Sequence, residues 1–215
     1  MDEKKKALEV LRLLGKDYEE FGTELRYEKP WQLLVSVLLS AQTTDENTNK
    51  VTKELYKKYK TPRDIAKVKL PALEKDIYST GYYKAKARNL KNMCAALTER
   101  HDGKVPDSME ELVALPGVGR KTANVVLHIL YGKEEGIVMD THIARVTYRL
   151  GFTNKKDPLK GEQRMMELLP RKYWKRWGDF LIQHGRKVCD AKKPKCAECR
   201  LNKICPSAFQ PTAKR

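Results

Sequence analysis

Four cysteines, Cys189, Cys196, Cys199 and Cys205, fall within 17 residues of a 215-residue chain that holds only one other, Cys94. Five cysteines so clustered are too few for a secreted disulfide framework. In a reducing compartment, four thiolates at this density form a metal centre. Soft thiolate ligands suit a tetrahedral Zn²⁺ or an iron–sulfur cluster, and the spacing does not choose between them. Cys94 lies between Leu90 and Leu97 in a helical pattern and reads as a small buried hydrophobe.

A second chemical signal is Leu115-Pro116-Gly117-Val118-Gly119-Arg120-Lys121-Thr122, followed by the apolar helical run from Ala123 to Leu130. Two glycines two residues apart permit a tight turn whose backbone approaches a ligand closely. The N–H groups at the start of the following helix then point outward at an anion. A P-loop would need Gly where Arg120 stands. A dinucleotide fingerprint would need Gly or Ala at Thr122 and a strand before the turn, where Glu110–Leu112 is helical in pattern. What fits better is a Gly-containing helix–turn–helix that grips a nucleic-acid phosphate at Gly117, Val118 and Gly119, with a plain αα-hairpin as the alternative. The third signal is Asp140, which opens a helix with Ile143 and Val146 on its apolar face. By itself it reads as an N-cap, and a chemical role needs a partner elsewhere. His101, His128 and His184 read as surface or packing residues, while His142, following Asp140-Thr141, is a better candidate for a site role than these three.

The elements that must hold these residues are helical nearly throughout. Leu8, Val10, Leu11 and Leu14 give an amphipathic first helix. Pro30 starts a second, with Trp31, Leu34, Val35 and Leu38 on one face. Leu33, Val37 and Leu39 make its other sides apolar, so it is central. Val51, Leu55 and Tyr59 stripe a third. Thr61-Pro62-Arg63-Asp64, Ser108 with Glu111, and Asp157-Pro158 are helix starts. His101-Asp102-Gly103-Lys104 is a helix-ending turn, and no hairpin signal lies between alternating strands. The fold class is all-α.

Composition narrows the partner. The formal net charge is +16, from 44 Lys and Arg against 28 Asp and Glu. From Pro170 onward, thirteen Lys or Arg face only Asp179, Asp190 and Glu198, so +10 of the surplus sits in the segment holding the four cysteines. Such a balance points to nucleic acid. No apolar run approaches the ~18 residues of a membrane span, and the N-terminus does not read as a secretory signal, so an intracellular location without a membrane is expected.

Together these residues resemble the endonuclease III family of DNA-repair glycosylases, in the helix–hairpin–helix superfamily. The resemblance covers about residues 25 to 206. It rests on Leu38-Leu39-Ser40-Ala41-Gln42-Thr43-Thr44-Asp45, the hairpin from Leu115 to Val126, Asp140-Thr141-His142 and the four-cysteine spacing. It implies that Cys189, Cys196, Cys199 and Cys205 hold a [4Fe–4S] cluster. It also implies two helical lobes with a DNA-binding cleft between them. One is a six-helix domain over residues 22–133; the other is a cluster domain made of 1–21 with 134–215. The partner would be double-stranded DNA with damaged bases or abasic sites, bound by a monomer.

The resemblance further implies that Lys121 attacks C1′ of a flipped nucleotide, with Asp140 as the catalytic carboxylate. A Lys nucleophile attacks as the neutral amine, which a helix N-terminus and the neighbouring Arg120 both favour. Gln42 and the residue after Gly81, here Tyr82, would plug the hole left in the base stack. Lys192, Lys193 and Lys195 would face phosphate. The string from Gly81 to Leu90, with Tyr82-Tyr83, is similar to the adenine-excising mismatch branch. That branch carries Ser in place of Lys121 and Glu near Val37, and the thymine-mismatch branch carries Tyr in place of Lys121. The retained Lys121 therefore implies a bifunctional glycosylase and AP lyase acting on oxidised pyrimidines. Two alternatives are a metal-stapled DNA-binding module without catalysis and a glycosylase directed at mismatches.

Overall fold

The structure, a computed structural model, describes residues 2–210 and contains helices, turns and no strand among them. The chain divides into two compact units, Gly22–Glu135 and Met1–Phe21 with Gly136–Arg215.

The continuous unit is built on α2 (Pro30–Leu39), α3 (Asp45–Lys58), α4 (Pro62–Lys67), α5 (Leu70–Asp76), α6 (Tyr83–Arg100), α7 (Met109–Val113) and α8 (Arg120–Tyr131). Helix α2 packs against α8, α3 and α6, and α6 also packs against α4 and α5. The expected central position of α2 follows from its composition: every residue from Trp31 to Leu39 is buried except the half-buried Val37. Local signals set the helix starts. Thr61 accepts from the N–H of Asp64 while the Asp64 carboxylate accepts from the N–H of Thr61, a reciprocal cap with Pro62 in the first turn. Ser108 caps α7 at the N–H of Glu111. Helix α6 ends where the N–H of Gly103, at φ +74°, bonds back to the Leu97 carbonyl at 2.8 Å.

The discontinuous unit gathers α1 (Glu3–Leu14), α9 (Thr141–Arg149), α10 (Pro158–Leu168) and α11 (Trp174–Lys187). Its core includes Ala7, Val10, Leu11, Leu14, Ile143, Val146, Trp177, Phe180 and Leu201. Trp177 is fully buried and meets Phe152 edge-on at 5.5 Å between centroids. One expectation for α1 needs correction. The buried stripe runs through Ala7, Val10, Leu11 and Leu14, whereas Leu8 is 40% exposed. Position 8 lies about 100° around the helix from position 7 and so turns away from the core. Asp157 starts α10 by accepting from the N–H groups of Leu159 and Lys160.

Candidate functional site

In the continuous unit, the hairpin is a compact turn between α7 and α8. Gly117 takes φ +77°, and a Cβ placed there would stand 2.7 Å from the Cβ of Asn89 on α6. The position thus needs glycine both for its backbone and for its close approach to α6. Gly119 is the N-cap of α8, contributes no capping side chain, and has open space where a Cβ would go. Val118 lies between them with its side chain buried at 5% exposure and its N–H bonded to the Leu115 carbonyl at 3.1 Å. Of the three hairpin residues named from the sequence, Val118 therefore anchors the turn, while Gly117 and Gly119 are exposed. Lys121 is the second residue of α8 and is exposed.

The same unit carries Gln42 and Tyr82. Both are exposed, and both are non-glycine residues in the left-handed region, at φ 56° and φ 48°. Tyr82 is 70% exposed and precedes the first residue of α6, directly after Gly81 at φ +68°. The rings of Tyr78 and Tyr83 pack at 4.7 Å beside it.

In the other unit, Asp140 is the N-cap of α9. Its Oδ1 accepts from the N–H of Ile143 at 2.8 Å, and no hydrogen bond from the described residues reaches Oδ2. His142 Nδ1 lies 3.2 Å from the Arg145 guanidinium.

Cys189, Cys196, Cys199 and Cys205 line one cavity, together with Val146, Leu150, His184 and Leu201. Burial pushes the Cys199 thiol up to about 11 and raises Cys205 as well, so binding a metal there releases protons. Cys94 lies elsewhere, fully buried in the core of the continuous unit, with its thiol pushed up to about 12 by burial.

Donors surround the sulfurs. Arg149 Nη1 donates to Cys189 Sγ at 3.2 Å, and the N–H of Leu201 donates to Cys199 Sγ at 3.4 Å. Burial lowers the pKa of His184 to about 4, so its imidazole is neutral. Its Nε2 stands 3.4 Å from Cys199 Sγ and its Nδ1 3.1 Å from the Tyr18 hydroxyl. A hydroxyl that donates to Nδ1 leaves the Nε2–H to donate to sulfur. The sequence pattern places His184 among packing residues. At 3% exposure it is one, but it also touches a cysteine. That contact and the one from Arg149 join residues 15 and 40 positions apart, which no local spacing reveals.

The loop between the first two cysteines is fixed by its own backbone. Asp190 Oδ1 accepts from the N–H groups of Lys192 and Lys193, and Arg149 donates to the carbonyls of Asp190 and Ala191. Lys192, Lys193 and Lys195 are exposed.

Residues 35–171 match the HhH-GPD superfamily of base excision DNA repair proteins. An endonuclease III from Synechocystis sp. is 45% identical over 205 residues, covering 95% of this chain and 94% of the relative. The chain belongs to the endonuclease III family. It is an enzyme of base excision repair, a DNA glycosylase with AP lyase activity. Two solved structures are similar to it, each with a TM-score of 0.88 and 41% identity. One is a non-covalent endonuclease III–DNA complex, covering 97% of both chains. The other is a trapped endonuclease III–DNA covalent intermediate, covering 97% of this chain and 98% of that one.

Within this endonuclease III family member, sequence reasoning missed Lys86. It stands on the apolar stripe of α6 with Tyr83, Leu90 and Leu97, and a lysine in such a stripe is a readable signal. Its Nζ donates to the carbonyls of Leu39 at 2.8 Å and Thr80 at 2.7 Å.

Proposed function

We propose that this chain excises oxidised pyrimidines from duplex DNA and then cuts the abasic strand, with Lys121 as nucleophile and Asp140 as the catalytic carboxylate. The observation that carries the reading is the placement of Lys121, exposed on the first turn of α8 immediately after a glycine hairpin. The N–H groups at such a helix start hold a phosphate, and the same turn then presents an amine beside that phosphate's sugar.

In this reading the neutral Lys121 Nζ attacks C1′ and the base leaves with the electrons of the glycosidic bond. The sugar ring opens to a protonated Schiff base. Loss of a proton from C2′ then expels the 3′ phosphate by β-elimination. As the base departs, C1′ gains oxocarbenium-like positive charge, which the Asp140 carboxylate stabilises. The cap bond to Ile143 fixes that carboxylate and keeps Oδ2 for the reaction. Gln42 and Tyr82 fill the space vacated by the flipped nucleotide, at a cost of a few kcal/mol in lost stacking. Lys192, Lys193 and Lys195 face phosphate, and the enzyme acts as a monomer. Gly22–Glu135, with the seven helices α2 to α8, takes the place of the expected six-helix domain over 22–133, and the remainder serves as the cluster domain. In this reading the enzyme works at the nucleoid of a prokaryotic cytoplasm, which its bacterial relatives support.

Cys189, Cys196, Cys199 and Cys205 hold a [4Fe–4S] cluster in this reading. Four thiolates lining one cavity and the chain's membership of the endonuclease III family both support it. A bound cluster would be held by the four thiolates, with Arg149 and the Leu201 N–H donating to the sulfurs and His184 Nε2 within hydrogen-bond reach of Cys199 Sγ.

Borohydride reduction during turnover tests the whole reading. A stable Lys121–DNA adduct is expected on abasic and oxidised-pyrimidine duplexes and is absent in Lys121→Ala, whose helix remains intact. Absence of trapping on every abasic duplex would sink it. The string Tyr82-Tyr83, similar to the mismatch branch, points to a second substrate class, mismatched bases. Including mismatched duplexes in the panel decides between the two.

A further inference from the structure

Lys86 is 6% exposed, and its hydrogen-bond partners are two carbonyl oxygens, with no carboxylate among them. Those two carbonyls end two elements. Leu39 is the last residue of α2, and Thr80 is the last residue of the short 3₁₀ turn Tyr78–Thr80. Burial disfavours the ammonium and lowers its pKa, while the negative ends of two helical segments favour it.

Each of these carbonyls lies shortly before a strained backbone position. Gln42 stands three residues after Leu39, and Tyr82 stands two after Thr80. Each holds an exposed side chain on a left-handed backbone, a conformation that strains a non-glycine residue and survives only where its surroundings impose it. A second bridge crosses the same pair of loops. Asn47 Nδ2 donates to Thr43 Oγ1 at 3.0 Å and to the Ser79 carbonyl at 2.9 Å. The segment carrying Gln42 and the segment carrying Tyr82 are therefore tied twice, by Lys86 from within the core and by Asn47 nearer the surface.

We propose that Lys86 is a positioning residue: its buried ammonium clasps the Gln42 loop to the Tyr82 loop at one fixed separation, so that both side chains enter the base stack together. The inference rests on the reading of Gln42 and Tyr82 as the residues that fill the vacated stack. It adds that they act as one rigid unit whose spacing is set by a residue that never touches DNA. An apolar side chain would fill the site of Lys86 but could not hold two carbonyls from different elements.

The test is a mutant cycle on the holoenzyme with a lesion duplex carrying 2-aminopurine beside the target, whose fluorescence rises when stacking is lost. Gln42→Ala and Tyr82→Ala are each expected to lower the fluorescence rise and the single-turnover excision rate. Lys86→Met is expected to lower the excision rate about tenfold while affinity for undamaged duplex stays within about twofold, because the phosphate contacts persist. Added to the Gln42→Ala/Tyr82→Ala double variant, Lys86→Met should change the rate by less than about twofold, since nothing remains for it to position. Two results overturn the clasp alone: Lys86→Met with wild-type fluorescence and rate, or a tenfold loss that persists undiminished in the triple variant. If Gln42→Ala and Tyr82→Ala themselves leave the signal unchanged, the wedge reading fails and the clasp fails with it. Should Lys86→Met lack a cooperative melt, Asn47→Ala carries the same cycle. A loss of about threefold is expected there, vanishing in the double-variant background, and simple multiplication of the effects rejects the proposal.

Discussion

Asp140 combines two roles that one substitution separates. As an N-cap it accepts a hydrogen bond from the N–H of Ile143, and asparagine fills that role about equally well. As the carboxylate that answers positive charge on the sugar, it must be an anion, which asparagine is not. Asp140→Asn is therefore expected to melt within a degree or two of the parent and yet lose about 10²–10³-fold in single-turnover excision. Asp140→Ala should lose the same activity and in addition about 1 kcal/mol of stability in urea unfolding. If Asp140→Asn keeps its activity, the residue is only a cap. The two side chains that reach cysteine sulfur, Arg149 and His184, show a different kind of residue. Their chemistry is ordinary, and their importance comes from where α9 and α11 bring them.

At the scale of elements, the hairpin converts two glycines into different requirements. Any side chain at Gly117 is penalised twice, once for the φ of +77° and once for the 2.7 Å approach to Asn89. Gly117→Ala is expected to cost about 2–4 kcal/mol, the sum of a left-handed backbone penalty and overpacking. Gly119→Ala meets open space at an ordinary φ of −91° and should cost less than about 1 kcal/mol. Urea unfolding of the two variants compares them, and equal losses would contradict this account of the turn. These elements were largely legible in the sequence because their signals are local. Thr61, Ser108, Asp140 and Asp157 each stand beside the N–H they cap. Gly117 was legible as a turn, but its contact with Asn89 was not, because that neighbour is 28 residues away on α6. Lys86 was hidden for the same reason, since one of its carbonyls lies 47 residues earlier. Leu8 was misplaced by a different fault: adjacent leucines satisfy the helical period equally well until packing picks the face.

For the whole molecule, the charge of +16 is not all free to meet DNA. Many cations are already committed inside the fold. Lys6 donates to the carbonyl of Leu150 at the end of α9, Lys86 to Leu39 and Thr80, and Lys91 to Ala66 and Val68 at the end of α4. Arg145 and Arg149 bind the carbonyls around Cys189, and Arg12, Lys58, Arg164, Arg176 and Arg200 pair with carboxylates. These groups complement helix C-termini and acidic side chains, so they make little contribution to counterion release. In the loop holding Lys192, Lys193 and Lys195, the backbone is held by Asp190 and Arg149 and the lysine side chains are exposed. Reversing Lys192 and Lys193 to Glu should therefore leave urea stability within about 0.5 kcal/mol per site. The slope of log affinity against log salt should fall by about 0.9 for each phosphate that is no longer neutralised, so by about 1.8 for the pair. Because phosphate contacts carry no sequence information, the weakening should be the same for damaged and undamaged duplexes. Fluorescence anisotropy titrations across a range of KCl concentrations measure it. An unchanged slope would mean that the C-terminal surplus of charge serves the thiolate centre alone, and that DNA is gripped by the helix–hairpin–helix without help from this loop.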